Sequence, residues 1–203
     1  MQDVLVVGFR FVQMHVELIA VVLSLVYIFL CIFQNNWCWL FGGLGAALYI
    51  PTFYTHGFYA DMSLQFYYVF ISIYGWYNWK YGKHKKSADT IPILRISLKK
   101  ALQLSAVGLL VFGLYVWVLS QTDSQFIWSD SFVTASAIIA TYMLSKKYIE
   151  NWLVFLVSDL AAVALFLYKE MYPTVFLTAV YTLMCIWGYI DWHKALQKQN
   201  AVA

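Results

Sequence analysis

Seven apolar stretches, each long enough to cross the hydrocarbon core of a bilayer, dominate this 203-residue chain. They lie at approximately 16–33, 37–54, 59–79, 98–120, 130–146, 151–168 and 172–192. About 20 residues of helix span roughly 30 Å of lipid, and a helix satisfies its own backbone hydrogen bonds there. The runs are too long and too uniformly apolar for barrel strands. With 63% hydrophobic and 11% charged residues, the chain is predicted to be an all-α membrane protein with seven transmembrane helices.

One stretch of the sequence occurs twice. The matched positions are Tyr59, Tyr68, Gly75 and Trp79, repeated at the same spacings as Tyr172, Tyr181, Gly188 and Trp192. Upstream, Asn36-Trp37 is matched to Asn151-Trp152. The Asn-Trp pairs are 115 residues apart, whereas the four matched positions that follow are 113 residues apart. The difference of two residues fits a shorter connector around Lys169-Glu170 in the second copy. Self-similarity of this kind indicates duplicated helical units.

Two copies of three helices, with one helix between them, account for the seven spans. Because three is odd, a second triplet fused directly to the first would be inverted, and the fourth helix restores its orientation. The sequence therefore predicts a 3+1+3 arrangement of parallel triple-helix repeats, related by an axis along the membrane normal. The predicted units are an N-terminal lead-in (1–15), the first repeat (16–80), a cytoplasmic loop and linker helix (81–121), the second repeat (130–192) and a cytoplasmic tail (193–203).

The basic residues are concentrated on one side of this arrangement. They are Lys80, Lys83, Lys85, Lys86, Arg95, Lys99 and Lys100 after span three, Lys146 and Lys147 after span five, and Lys194 and Lys198 after span seven. The other side has Arg10 and Lys169. By the positive-inside rule, the C-terminus is cytoplasmic and the N-terminus is outside. This bias explains the lysine cluster without a nucleic-acid partner.

Polar side chains inside the apolar spans are the candidate functional residues, since charges within a bilayer usually face a cavity or a partner. Asp159 lies near the middle of span six, on one helical face with Trp152 and Phe155. Polar stripes on spans three and seven include Gln65 and Tyr68, and Thr178 and Tyr181. If the repeats close around a shared axis, these faces meet at one aromatic-walled cavity with a carboxylate, which suits a flat cationic heterocycle. The alternative is that Asp159 bonds only a helix neighbour.

Signatures of catalysis, metal binding or a cofactor are absent from the sequence: there is no HExxH, GxSxG, paired CxxC or Walker-type loop. The predicted protein is therefore not an enzyme, and as a transporter it would use the gradient of its substrate or a coupling ion. The run Gly42-Gly43-Leu44-Gly45-Ala46-Ala47 inside span two is typical of close helix packing. Cys31, Cys38 and Cys185 are predicted to be buried small residues rather than a disulfide framework.

Several short motifs resemble the PnuC family of bacterial vitamin transporters. They are Asn-Asn-Trp-Cys-Trp at 35–39, Phe-Tyr-Ala-Asp at 58–61, Gln65, Gly-Trp-Tyr-Asn-Trp at 75–79 and Ile-Glu-Asn-Trp at 149–152. The resemblance implies a fold similar to SWEET sugar transporters, and facilitated diffusion of nicotinamide riboside, thiamine or riboflavin across the bacterial inner membrane. It also implies a cytoplasmic kinase that traps the vitamin by phosphorylation. It places Gln65, Asn151, Trp152 and the aromatic positions that follow at the substrate.

This chain departs from the nicotinamide riboside transporters of that family at two positions of span six. Phe155 stands where they tend to have a second Trp, and Asp159 stands where they often have an amide. We therefore expect a flat cationic vitamin, nicotinamide riboside first and thiamine as the alternative. The predicted binding residues are Gln65, Tyr68, Asn151, Trp152, Phe155, Asp159, Thr178 and Tyr181. The alternative functions are a seven-helix receptor, a retinal protein or a membrane enzyme. A retinal protein needs a lysine within its last span, and Lys169 and Lys194 lie outside that span. A homo-oligomer also stays open.

Overall fold

The computed structural model describes residues 2–55, 59–82, 91–122, 126–168, 170 and 172–202. These residues form seven α-helices, which confirms the predicted class and number. They are α1 (Gln2–Ile32), α2 (Cys38–Thr55), α3 (Tyr59–Tyr81), α4 (Leu98–Leu119), α5 (Ile127–Ser145), α6 (Asn151–Tyr168) and α7 (Tyr172–Val202). Helix α1 starts at Gln2 instead of near residue 16, and α7 continues past residue 192, so the predicted lead-in and tail are helical. The lysines at 83, 85 and 86, and Lys169, lie outside the described residues.

The helices have the length and surface of membrane spans. Four of the described helical segments are long and apolar enough to cross a bilayer: Leu98–Leu119, Ile127–Ser145, Asn151–Tyr168 and Val175–Ala201. Helices α1 and α2 contribute the shorter apolar segments Leu18–Ile32 and Cys38–Tyr54. Large apolar side chains such as Phe70, Leu109 and Leu110 point outward and are exposed. A surface of this kind is stable in lipid and not in water.

The helices pack as two triplets joined by a linker. Helix α2 packs against both α1 and α3, and α6 packs against both α5 and α7. The triplets meet through α3 against α5 and through α1 against α7, while α4 packs on α5. If the two triplets are exchanged, α3 takes the place of α7 and α5 takes the place of α1, so the α3–α5 interface becomes the α1–α7 interface. A pseudo-twofold axis between the repeats requires this equivalence. This confirms the predicted 3+1+3 arrangement.

The register that relates the repeats is 113 residues throughout, so the predicted match of Asn36-Trp37 to Asn151-Trp152 is wrong. The ring of Trp152 lies on Gly188, and the residue whose ring lies on Gly75 in the same way is Trp39. Trp39 meets Trp79 edge to face at 5.4 Å and 87°, and Trp152 meets Trp192 at 5.5 Å and 87°. Trp37, by contrast, is 60% exposed. The connector around Glu170 therefore needs no two-residue drift.

The glycine-rich run of α2 lies against neighbouring helices, as its small residues predict. A Cβ at Gly42 would be 2.7 Å from the Tyr27 ring of α1, and one at Gly43 would be 3.2 Å from Ser72 Cβ of α3. Small residues let neighbouring helices approach closely without a hydrophobic driving force between them. Packing is the role of this run, and Gly42 also forms part of a cavity wall.

The segment that precedes α4 is tied to the second repeat. Leu94 donates its backbone N–H to the Lys147 carbonyl at 2.9 Å and accepts from Ile149 N–H at 3.0 Å. Ile93 exchanges hydrogen bonds with the Gln199 side chain on α7, each at 3.2 Å. Ile91 and Ile93 are buried in the main apolar cluster. These bonds fix the α5–α6 connector and the end of α7 relative to each other.

Candidate functional site

A cavity of about 350 Å³ lies between the two repeats. Side chains of the three helices of each repeat line it, and the α4 residues that the structure describes do not take part. Its volume falls within the usual range of about 300 to 1,000 Å³ for small-molecule sites. The cavity is thus large enough for a single vitamin-sized molecule.

Seven of the eight predicted binding residues line this cavity: Gln65, Tyr68, Trp152, Phe155, Asp159, Thr178 and Tyr181. The face of α6 and the stripes of α3 and α7 therefore meet as the repeat argument expects. Asn151 does not line the cavity. It is fully buried at the start of α6, and its Nδ2 donates to the Tyr148 carbonyl at 2.7 Å. Within the described structure its Oδ1 has no hydrogen-bond partner.

Most lining residues fall into pairs related by 113 positions. Tyr68 and Tyr181 are one such pair, and Gln65 and Thr178 are another. The pairing also shows where the two halves differ. On α6 the wall carries Phe155 and Asp159, whereas the equivalent α2 positions are Gly42 and Ala46. The cavity therefore has a charged, aromatic wall on the second repeat and a small-residue wall on the first.

Asp159 has a partner on a neighbouring helix rather than on its own. The thiol of Cys185 on α7 donates to Asp159 Oδ2 across 3.5 Å. A thiol is a weak donor, and an ionised carboxylate offers about four acceptor positions. Asp159 therefore keeps acceptor capacity for a molecule in the cavity.

Residues of α1 and α2 were missed by sequence reasoning, which singled out polar side chains only on α3, α6 and α7. Tyr27 and Ser24 of α1 and Tyr49 of α2 also line the cavity. Ser24 donates its hydroxyl to the Ala20 carbonyl of its own helix at 2.8 Å. The correct offset of 113 would have found Ala46 and Gly42 as counterparts of Asp159 and Phe155. The Asn-Trp match obscured it.

Two buried tryptophans hold the repeats together at the end of the bundle where α1, α3, α5 and α7 finish. Trp79 Nε1 of the first repeat donates to the Leu144 carbonyl of α5 at 3.2 Å. Trp192 Nε1 of the second repeat donates to the Cys31 and Ile32 carbonyls of α1 at 3.2 and 3.0 Å. Leu144 and Cys31 are themselves related by 113 positions and line the cavity. Each indole thus satisfies carbonyls at the C-terminus of a helix in the other repeat.

Lys147 follows α5 but does not lie at the surface: it is fully buried between these tryptophans. Its Nζ donates to Gln34 Oε1 at 2.9 Å and sits 4.6 Å above the Trp79 ring and 6.0 Å from the Trp192 ring. Burial lowers the pKa of the Lys147 ammonium to about 7, because removal from water penalises the charged form. The connectors between α1 and α2 and between α5 and α6 meet there.

Comparison with known proteins agrees with this architecture. The family model described as nicotinamide mononucleotide transporter matches residues 14–194. The nicotinamide riboside transporter PnuC of Escherichia coli is 22% identical, with 93% of this chain and 89% of that protein aligned. The riboflavin/roseoflavin transporter RibM of Streptomyces davaonensis is also 22% identical, with 87% and 83% aligned. A crystal structure of the vitamin B3 transporter PnuC superposes with a TM-score of 0.75 at 20% identity, covering 97% of this chain and 88% of that one.

Proposed function

Because this chain belongs to the nicotinamide mononucleotide transporter family, we propose that it carries a flat, cationic vitamin without a phosphate group, nicotinamide riboside in the first place. The chain is a multi-pass membrane transporter and not an enzyme. In this proposal the vitamin occupies the cavity between the repeats, and one repeat rocks against the other to open each side in turn. Transport is then facilitated diffusion down the gradient of the vitamin.

The observation that carries this proposal is Asp159 in an aromatic-walled cavity. Phe155 and Trp152 line the cavity together with the carboxylate, as do Tyr68 of α3 and Tyr181 of α7. Ring faces attract a delocalised cation, and a carboxylate neutralises it. The pyridinium ring of nicotinamide riboside has both properties. Gln65 and Thr178 supply hydrogen-bonding groups for its amide and hydroxyls.

The same cavity argues against phosphorylated forms of the vitamin. Among the described lining residues there is the carboxylate of Asp159 and no Lys or Arg. Phosphate sites in proteins commonly use Arg or Lys donors, and a carboxylate repels a phosphate. A nicotinamide mononucleotide would therefore bind poorly. This supports trapping by a cytoplasmic kinase, because the phosphorylated product would not re-enter the cavity from a cytoplasm on the C-terminal side.

Thiamine is the second candidate, since its thiazolium ring is also flat and cationic. Asp159 and Phe155 suit it as well as they suit nicotinamide riboside, and both are departures from the usual nicotinamide riboside residues. Riboflavin, which RibM carries by name, is uncharged at neutral pH and gains nothing from Asp159. The charge of the ligand therefore separates riboflavin from the other two vitamins.

Binding to the purified protein in detergent tests this proposal, with tryptophan fluorescence as the signal because Trp152 lines the cavity. We expect nicotinamide riboside to quench at the lowest concentration and nicotinamide mononucleotide to need at least about tenfold more, since an unfavourable 1.4 kcal/mol is a factor of ten. Tighter binding of thiamine would make it the substrate. Equal binding of the mononucleotide, or of riboflavin, would contradict the charge argument itself.

A further inference from the structure

A cluster of four side chains, here called the plug, lies at the end of the bundle where α1, α3, α5 and α7 finish. It consists of Lys147, Gln34, Trp79 and Trp192, and the last three are all within reach of the Lys147 ammonium group. The backbone carbonyls of Cys31 and Leu144, to which the two indoles donate, belong to residues of the cavity wall. The plug therefore adjoins the cavity wall at this end of the bundle.

The plug is built across the pseudo-twofold axis. Gln34 and Lys147 are related by 113 positions, as are Trp79 and Trp192. Gln34 and Lys147 both have left-handed backbones, with φ of 56° and 54°, a conformation that non-glycine residues adopt at a cost. Both side chains are in this way turned toward the same point. The Lys147–Gln34 hydrogen bond joins the α5–α6 connector of one repeat to the α1–α2 connector of the other.

Opening this end requires the two repeats to separate there, and separation breaks the bond between the connectors. We propose that Lys147 is the gating residue of this transporter: its contacts with Gln34, Trp79 and Trp192 keep the cavity closed at the C-terminal end, and their release opens it. Gln34 and Lys147 are equivalent positions that carry different side chains. One repeat thus supplies the donor and the other the acceptor.

Two variants test the gate in opposite directions. Lys147→Met keeps an unbranched apolar side chain but removes the hydrogen-bond donor to Gln34. Gln34→Glu gives Lys147 an ionised partner and strengthens the link, because hydrogen bonds between charged groups are stronger than neutral ones. Lys147→Met is expected to favour the open state of this end, and Gln34→Glu the closed state.

The readout is the modification of Cys185, which lines the cavity beyond the plug. The full-length protein is reconstituted in vesicles with its C-terminal end outward, and a membrane-impermeant methanethiosulfonate is added outside. Peptide mass mapping separates Cys185 from Cys31 and Cys38. We expect Lys147→Met to raise the modification rate at least tenfold and Gln34→Glu to lower it severalfold. No vitamin is needed, so this result is independent of which substrate is carried.

Lys146→Met is the matched control, because Lys146 is the adjacent lysine and lies over the Tyr74 ring at 4.8 Å, outside the plug. It is expected to leave the rate unchanged. If Lys147→Met reacts like the control, or if Gln34→Glu raises the rate, the gating role is wrong. Should Lys147→Met fail to give a monodisperse protein, the Gln34→Glu result alone decides.

The pH dependence of the same reaction distinguishes a gate from a merely structural lysine. The pKa of Lys147 is about 7 in the closed state and returns to its ordinary range once the ammonium is hydrated. The closed state thus binds fewer protons above pH 7, so lowering the pH toward 7 favours opening. The titratable groups acting on Lys147 are the thiols of Cys31 and Cys38, while α3 and α7 present indole rings. Cys185 reacts by the same chemistry in Lys147→Met. The ratio of the Cys185 modification rate in the unmodified protein to the rate in Lys147→Met should therefore rise as the pH falls from 9 to 7.

Discussion

Replacement of Asp159 by Asn should weaken binding of a cationic vitamin by about 10- to 100-fold while the protein still folds. A hydrogen bond or contact to a charged group contributes about 1.5–3 kcal/mol, and each 1.4 kcal/mol is a factor of ten. The amide has nearly the same shape as the carboxylate, and its oxygen can still accept from the Cys185 thiol. The loss is measured by titrating the purified variant with nicotinamide riboside and thiamine, followed by uptake into vesicles.

Asp191→Asn is the control for this change, because Asp191 is a carboxylate of α7 that does not line the cavity. Its affinity should equal that of the unmodified protein. The repeat also offers a rescue: Ala46→Asp in the Asp159→Asn background places a carboxylate at the equivalent position of the opposite wall. Partial recovery of cation binding is expected. Unchanged affinity in Asp159→Asn would remove Asp159 from the substrate site.

Gly188→Ala should abolish vitamin binding and destabilise the protein by about 1–3 kcal/mol, the usual cost of overpacking. A Cβ at Gly188 would lie 2.7 Å from Trp152 Cη2 and Cζ2, a separation that real Cβ atoms do not show. Trp152 is buried, packs edge to face on Trp192 and forms part of the cavity wall. The indole must therefore move, and the wall moves with it. The measurements are the thermal midpoint in detergent and the affinity for the vitamin.

Two other glycines separate the packing effect from the binding effect. A methyl group added at Gly113 on α4 would meet nothing within 4 Å, so Gly113→Ala should be neutral or slightly stabilising. Gly75→Ala would push a Cβ into the Trp39 ring, which does not line the cavity. It should lower stability as Gly188→Ala does, yet its folded fraction should bind the vitamin. Binding by Gly188→Ala at the original affinity would contradict the assigned role of Trp152.

The helices could be predicted because every span in lipid must be apolar along its length, and the hydropathy of the sequence shows such segments directly. The register of the repeats could not be read in the same way. The dipeptide Asn-Trp matches at 36–37 and 151–152, but packing selects the tryptophan that rests on a glycine of the neighbouring helix, and that residue is Trp39. A sequence match depends on residue identity alone, whereas structural equivalence depends on which side chains are in contact.

The cavity wall of the second repeat was predictable where a polar side chain interrupts an apolar span, as Asp159 does. The opposite wall was not, because Gly42 and Ala46 carry no polar signal and differ from packing residues only in what they face. The burial of Lys147 was not predictable for a related reason. It depends on two connectors that meet only in the folded protein.

Joining the two triplets in one chain affects how many carboxylates the cavity presents to one bound molecule. If two identical copies of the second triplet assembled as a symmetric dimer, the cavity would hold two copies of the Asp159 carboxylate facing each other. One of them would take up a proton or remain unneutralised beside a monovalent cation. In the fused chain the equivalent position is Ala46, so the described cavity wall carries a single carboxylate, which would match the singly charged vitamin proposed above. Covalent duplication thus permits a binding stoichiometry that self-association of one half could not achieve.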